Sequence, residues 1–531
     1  MAVTRRAALL PPPPLAPPAG RPLSSQPLDG VPMAAASCRP SHGSFCLLLL
    51  LVAVGAAAAL GAAGSSSHVQ LSVESLLPAA GSSCPTPKEQ QHGAATGTRM
   101  PVVHQHGPCS PLSGKREKAP SHTEILAADQ RRVEYIHRRV SETTGRVRPK
   151  RAAAPVHLQP RAPSTPTPSS PSSYAKSANL PASSGRALGT GNYVVTIGLG
   201  TPSERFTVVF DTGSDTTWVQ CQPCVAYCYR QKEPLFRPAK SSTYANISCT
   251  SSYCDDLYTS GCDGGHCLYA VRYGDGSLTV GFYAQDTLKL AYDVVKEFRF
   301  GCGEKNRGLF GRSAGLMGLG RGKTSLTVQA YDKYGGVFAY CLPATTSGTT
   351  GFLDFGPGAP AANARLTPML TDNGPTFYYV GVTGIKVGGH LLPIPESVFS
   401  AAGALVDSGT VITRLPPSAY KPLSSAFARG MDALGYEKAP AFSILDTCYD
   451  LTGHQGSIAL PAVSLVFKGG ACLDVDASGI LYVADVSQAC LAFAANDDDA
   501  DVAIIGNTQQ KTYGVLYDLG RKVVGFAPGA C

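Results

Sequence analysis

From Gly189 to Cys531 the sequence predicts a mainly β protein built from two related halves. Three observations predict it. Runs such as NYVVTIGLG, RFTVVFDTG and TTWVQC are short, β-branched or aromatic, and bounded by Gly, Pro, Asn or Asp, as strands joined by tight turns are. Charged residues make up 15% of the chain against 57 Gly and 42 Pro, which argues against a coiled coil or a helical array. One motif also occurs twice: Phe210-Asp211-Thr212-Gly213-Ser214 returns as Val406-Asp407-Ser408-Gly409-Thr410.

The segments ahead of this body have other compositions. Residues 1–63 are a leader: 44 residues rich in Pro, Ala and Arg, then an uncharged apolar run at 45–63. The Ala/Gly-rich exit of that run favours a signal-peptide core, with Met33 and Arg39 supplying a conventional short start. A membrane anchor and a chloroplast transit peptide are the alternatives. Residues 64–151 form a basic segment whose clearest element is a helix in SHTEILAADQRRVEYIHRRV. Ser121 and Glu124 match a capping box, and Ile125, Leu126, Val133, Ile136 and Val140 share one face. Arg131, Arg132, Arg138 and Arg139 crowd the remainder, as a solvated face would, or as a face made to lie on something acidic would. Residues 152–188 are a Pro/Ser/Ala linker unable to bury a core, and Lys150-Arg151 before it is a candidate processing site. Within the body one helix stands out, PPSAYKPLSSAFARGMDALG, with Tyr420, Leu423, Phe427, Met431 and Leu434 as its stripe and Gly435 closing it.

Charge divides along the same line. Residues 1–188 hold 20 Lys and Arg against 8 Asp and Glu, whereas the remainder holds 25 against 29. The basic total therefore does not describe the body, and a nucleic-acid binder is a poor reading of it.

Each Asp-(Thr/Ser)-Gly turn is followed about a hundred residues later by two apolar residues and a Gly: Leu316-Met317-Gly318, then Ile504-Ile505-Gly506. Two ordered motifs at domain-scale separation resemble the pepsin-like aspartic proteases. The likeness is to the plant-type branch, with its nepenthesin-like members and a chloroplast nucleoid DNA-binding protease, and covers about residues 190–531. It implies a bilobal fold with lobes at 189–362 and 363–531 and an active site in the cleft between them. One Asp in a turn is unremarkable. Two carboxylates held about 3 Å apart cannot both ionise, so they share a proton and titrate in split steps. The ionised one activates a water while the protonated one hydrogen-bonds the scissile carbonyl. The resemblance makes Asp211 and Asp407 that pair. It has Gly213 and Gly409 admit the backbone, Thr212 and Ser408 lock the two turns together, and Ser214 and Thr410 bond the outer carboxylate oxygens.

Tyr269–Leu278 reads as strand, Gly-rich tip and strand, and resembles the family's flap. Tyr273 stands where the covering tyrosine does, Gly274, Asp275 and Gly276 form the tip, and Trp218 is placed to bond the Tyr273 hydroxyl. The alternative for Trp218 is plain core packing. Thirteen cysteines follow residue 189. In a secreted chain they read as six bridges drawn from Cys221, Cys224, Cys228, Cys249, Cys254, Cys262, Cys267, Cys302, Cys341, Cys448, Cys490 and Cys531. The resemblance suggests Cys448–Cys490 and Cys341–Cys531. The odd thiol, Cys472, stays buried or pairs with Cys109. Zinc is disfavoured because no closed four-ligand spacing occurs, and no metal or cofactor is implied. Asn246-Ile247-Ser248 is a glycosylation sequon. Gly311-Arg312-Ser313-Ala314-Gly315 imitates a serine nucleophile turn but is followed directly by Leu316-Met317-Gly318, without the required helix.

The sequence thus predicts a secreted or vacuolar monomeric aspartic endopeptidase. Its substrates would be polypeptides, and its own basic prosegment would be an intramolecular inhibitor covering the dyad with Lys or Arg. Two alternatives are a non-catalytic pepsin-fold inhibitor or binding protein, and a plastid DNA-binding protease.

Overall fold

The computed structural model describes residues 67–72, 98–105, 109–112, 120–144 and 193–531, the last without 275, 309, 345–349, 360–362, 401–402 and 455. The apolar run 45–63, Lys150-Arg151, the linker and the flap residue Asp275 lie outside the described residues.

The strand Tyr193–Leu199 folds back antiparallel on Glu204–Asp211, with Val194 opposite Val209 and Leu199 opposite Glu204. Phe206 to Phe210 are buried on both faces, so the strand is a continuous buried run, apolar but for Thr207, that ends at Asp211. Gly315–Gly318 lies parallel beside it, Gly318 level with Asp211. The second copy has the same plan. Ala404–Val406 ends one residue before Asp407, and Ala503–Ile505 runs parallel to it with Ile505 opposite Val406. Each apolar-apolar-Gly motif is therefore the parallel neighbour of an Asp-bearing strand. The fold is mainly β and bilobal, each lobe supplying one such turn.

A six-stranded antiparallel sheet joins the halves, in the order Met100–His104, Gly351–Phe355, Val337–Cys341, Gly514–Asp518, Val523–Ala527, Arg365–Leu370. Its edge strand comes from the N-terminal basic segment and also reaches Tyr193 and Val194. A further N-terminal strand, His68–Ser72, pairs with Ser457–Pro461. The basic segment is thus woven into the body through backbone ladders.

Both helices that the sequence predicts are present. His122–Thr144 begins at the capping box: the Ser121 N–H donates to Glu124 Oε2 at 2.7 Å, and the Glu124 N–H donates to Ser121 Oγ at 3.2 Å. Leu126, Val133, Ile136 and Val140 are buried, each contributing about 1.5–3 kcal/mol of apolar burial. Pro417–Ala433 buries Tyr420, Leu423, Phe427 and Met431, and Gly435 follows at φ +81°. Among the described residues no helix is long and apolar enough to cross a membrane.

Six disulfides join described residues: Cys221–Cys302, Cys224–Cys228, Cys249–Cys262, Cys254–Cys267, Cys341–Cys531 and Cys448–Cys490. Of the two expectations for Cys472, the buried free thiol is corrected and the bridged state is found. Cys472 is disulfide-bonded, and since the other body cysteines pair among themselves its partner lies N-terminal to residue 189. Cys109 is disulfide-bonded as well. An odd count in the body is odd only if the body is taken alone.

Candidate active site

The two Asp turns meet, and each holds its carboxylate in the same way. The Gly213 N–H donates to Asp211 Oδ1 at 2.9 Å and the Ser214 hydroxyl to Oδ2 at 2.8 Å. The Gly409 N–H donates to Asp407 Oδ1 at 3.0 Å and the Thr410 hydroxyl to Oδ2 at 2.5 Å. Across the junction the Thr212 N–H donates to Ser408 Oγ at 3.1 Å, and the Ser408 N–H donates to Thr212 Oγ1 at 2.9 Å. This reciprocal pair fixes one turn against the other. The glycines are required sterically. A Cβ on Gly213 would sit 2.7 Å from Asp407 Oδ1, and one on Gly409 would sit 2.4 Å from Asp211 Oδ1.

A guanidinium occupies the place between the carboxylates. Arg132, on the helix His122–Thr144, brings Nη2 to 2.7 Å from Asp211 Oδ1 and 2.9 Å from Asp407 Oδ2, with Nε donating to Asp407 Oδ2 at 3.1 Å. One nitrogen thus bridges both acids. Burial raises both carboxyls, but at Asp211 the charge and hydrogen bonds of Arg132 prevail and hold it below the usual range. At Asp407 burial and the neighbouring Asp211 charge prevail over Arg132 and raise it. The pair is split, one member ionised more readily than the other.

The hairpin expected to be the flap lies against the helix that carries Arg132. Tyr273 follows the strand His266–Arg272, which pairs with Leu278–Leu290, and the Trp218 indole N–H donates to its hydroxyl at 2.8 Å. Phe310 packs edge-on against both rings, at centroid distances of 4.9 and 5.6 Å. Gly274 lies on the helix backbone: a Cβ there would approach the Arg131 carbonyl to 2.6 Å and Arg132 Cα to 2.8 Å. Gly276, at φ +87°, lies clear of neighbours. Beside the guanidinium a cavity of about 570 Å³ remains open between Tyr258, Tyr273, Lys323 and Thr376.

Several residues of this site were not singled out from sequence. Asp129 is one. Its carboxylate accepts from the Val411 N–H at 2.6 Å, the Ile412 N–H at 3.2 Å and Arg414 Nη2 at 2.9 Å. Its sequence signal was an acid placed three after Leu126 and four before Val133, inside the apolar stripe. Asp215 is another. It accepts from the Gly322 N–H and the Thr376 hydroxyl, each at 2.8 Å, and burial raises its pKa. Other sequence features lie apart from the chemistry. Ser313, of the imitated nucleophile turn, is buried with its hydroxyl donating to the Phe310 carbonyl at 2.8 Å. No cluster of potential metal ligands occurs among the described residues. Asn246 is half-buried and accepts from the Tyr244 hydroxyl at 2.6 Å.

Comparison with known proteins adds four findings. Family models described as xylanase inhibitor N-terminal and C-terminal match residues 193–357 and 377–528. An aspartyl protease family protein of Arabidopsis thaliana is 44% identical over 87% of this chain and 92% of its own length. Aspartyl protease AED1 of the same plant is 43% identical with the same coverage. The crystal structure of edgp superposes with a TM-score of 0.53 at 21% identity, covering 64% of this chain and 91% of that one, a likeness of fold.

Proposed function

The chain belongs to the plant-type family of pepsin-like aspartic proteases, and on that premise we propose that Asp211 and Asp407 are its catalytic pair and that residues 64–151 are its inhibitory prosegment. The chain is an aspartic endopeptidase acting on polypeptides. With Arg132 withdrawn, the space between the acids holds a water. The ionised carboxylate takes a proton from that water as it attacks the scissile carbonyl, and the protonated carboxylate hydrogen-bonds the carbonyl oxygen. Proton transfer to the amine nitrogen then lets the tetrahedral intermediate collapse, with no covalent enzyme species. The Tyr273 flap shields the substrate from bulk water.

The observation that carries this reading is the single Arg132 nitrogen shared by two carboxylates in mirrored hydrogen-bond settings. A guanidinium there excludes the water and the substrate together. Six disulfides among the described residues support an oxidising destination, and we assign the chain to the secretory route, extracellular or vacuolar. Asn246 is its glycosylation site, lobes at 189–362 and 363–531 act as a monomer, and no nucleic acid takes part. The test is to acidify purified precursor, follow self-shortening and assay pepstatin-sensitive cleavage of denatured globin. A processed, pure sample that cleaves nothing would favour a non-catalytic binding protein.

A further inference from the structure

We propose that Arg414, with the N–H groups of Val411 and Ile412, forms a carboxylate-binding subsite in the open cleft that directs the protease to peptides with Asp or Glu close to the cut. The inference rests on the reading that the helix His122–Thr144 leaves the cleft.

Arg414 sits in the strand Thr413–Leu415 and is 1% exposed while the helix covers it. The only hydrogen bond of its side chain among the described residues is the one from Nη2 to Asp129, and its Nε and Nη1 are buried there without an acceptor. Asp497 adds a favourable charge nearby. A guanidinium with five donors is costly to bury, and one with a purely architectural task would be satisfied by groups that stay in the body. Here the carboxylate that satisfies it belongs to the segment that departs. The same carboxylate takes the Val411 and Ile412 N–H groups, which lie one and two residues beyond Thr410, itself bonded to Asp407. Departure leaves three convergent donors facing the cleft.

Their position fits a substrate side chain. Asp129 and Arg132 are three residues apart on one helix, about 4.5 Å along its axis. An extended peptide advances about 3.3 Å per residue, so an acid reaching the three donors stands within about three residues of the scissile bond. Leu126 beside Asp129 packs with Val411, Ile412, Leu445 and Tyr482, which places an apolar surface next to the acidic position. The prosegment would then carry an imitation of the preferred substrate: an apolar residue, an acid and, in place of the scissile bond, Arg132.

The experiment uses full chain activated by acid and quenched peptides paired as Glu or Gln at each of the three positions on either side of the cut. At about pH 5.5 a peptide Glu is ionised. A charge-assisted bond to Arg414 should then raise kcat/KM for Glu over Gln by about 10- to 100-fold at one position. The ratio should fall towards one as the pH drops below about 4 and the Glu protonates. Arg414→Gln should abolish it, and Arg414→Lys should retain part of it; cleavage of the all-Gln peptide certifies that each variant is folded. Wild-type enzyme with no Glu preference at any position, or a preference that persists in Arg414→Gln, overturns the subsite. A precursor that already cuts the all-Gln peptide at neutral pH removes the prosegment reading instead, and the subsite falls with it.

Discussion

Replacing Arg132 with Gln should turn the precursor into one that activates itself far more readily. Arg132 donates to both carboxylates at 2.7–2.9 Å, and its side chain is 18% exposed against 1–2% for the acids. Removing one partner of a buried, hydrogen-bonded ion pair costs about 3–5 kcal/mol, largely because the remaining charge is stranded. The dyad can relieve itself by keeping a proton, so the low end applies, about 3 kcal/mol. That converts to about a hundredfold larger open fraction. The helix still docks through Leu126, Val133, Ile136 and Val140, so the precursor should fold as before. The initial rate of self-shortening at one fixed pH follows the open fraction and should rise about a hundredfold. The pH dependence has a definite sign. Docked Arg132 lowers the proton affinity of Asp211, so undocked Asp211 binds more protons and docking weakens as the pH falls through its range. Asp407 and Asp129 work in the opposite sense: burial raises each despite its arginine partner, so acid relieves their cost in the docked state. Acid release therefore belongs to the pairing of Arg132 with Asp211, and Arg132→Gln should flatten the pH profile of self-shortening. An Arg132→Gln precursor as slow as wild type, with a pH profile unchanged, would refute the reasoning.

Other changes are expected to act at separate points. Asp407→Asn removes the proton-sharing partner of Asp211 and should lower kcat by at least about a thousandfold, measured on globin, with the thermal transition retained. Trp218→Phe strands the Tyr273 hydroxyl and should lower kcat/KM about tenfold, with little effect on urea unfolding of the body. Thr212→Val breaks the reciprocal pair and leaves the buried Ser408 N–H without its acceptor, so unfolding in urea should reveal a loss of about 1–3 kcal/mol.

Much of the site was legible because its parts are local. An Asp-Thr-Gly-Ser turn contains its own carboxylate, the N–H that holds it and the hydroxyl that flanks it, all within four residues. The glycines follow from the close approach of the opposite Asp, which the doubling of the motif already implied. The capping box at Ser121 and Glu124 is likewise closed within one turn. The state of Cys472, buried thiol or bridge to the prosegment, stayed open for the opposite reason: pairing across that separation leaves no mark in local spacing.

The sequence by itself determined the two acids, the hairpin whose Tyr273 meets Trp218, and a basic amphipathic helix ahead of an acidic body. Only the tertiary structure decided that Arg132, of the four arginines on that helix, reaches the dyad, and that Asp129 turns towards Arg414. The physical reason is the rotation of the helix about its axis. Apolar burial of Leu126, Val133, Ile136 and Val140 against the cleft sets that rotation, and residues one step apart on a helix point about 100° apart. Neither the docking surface nor the angle is written in the helix alone.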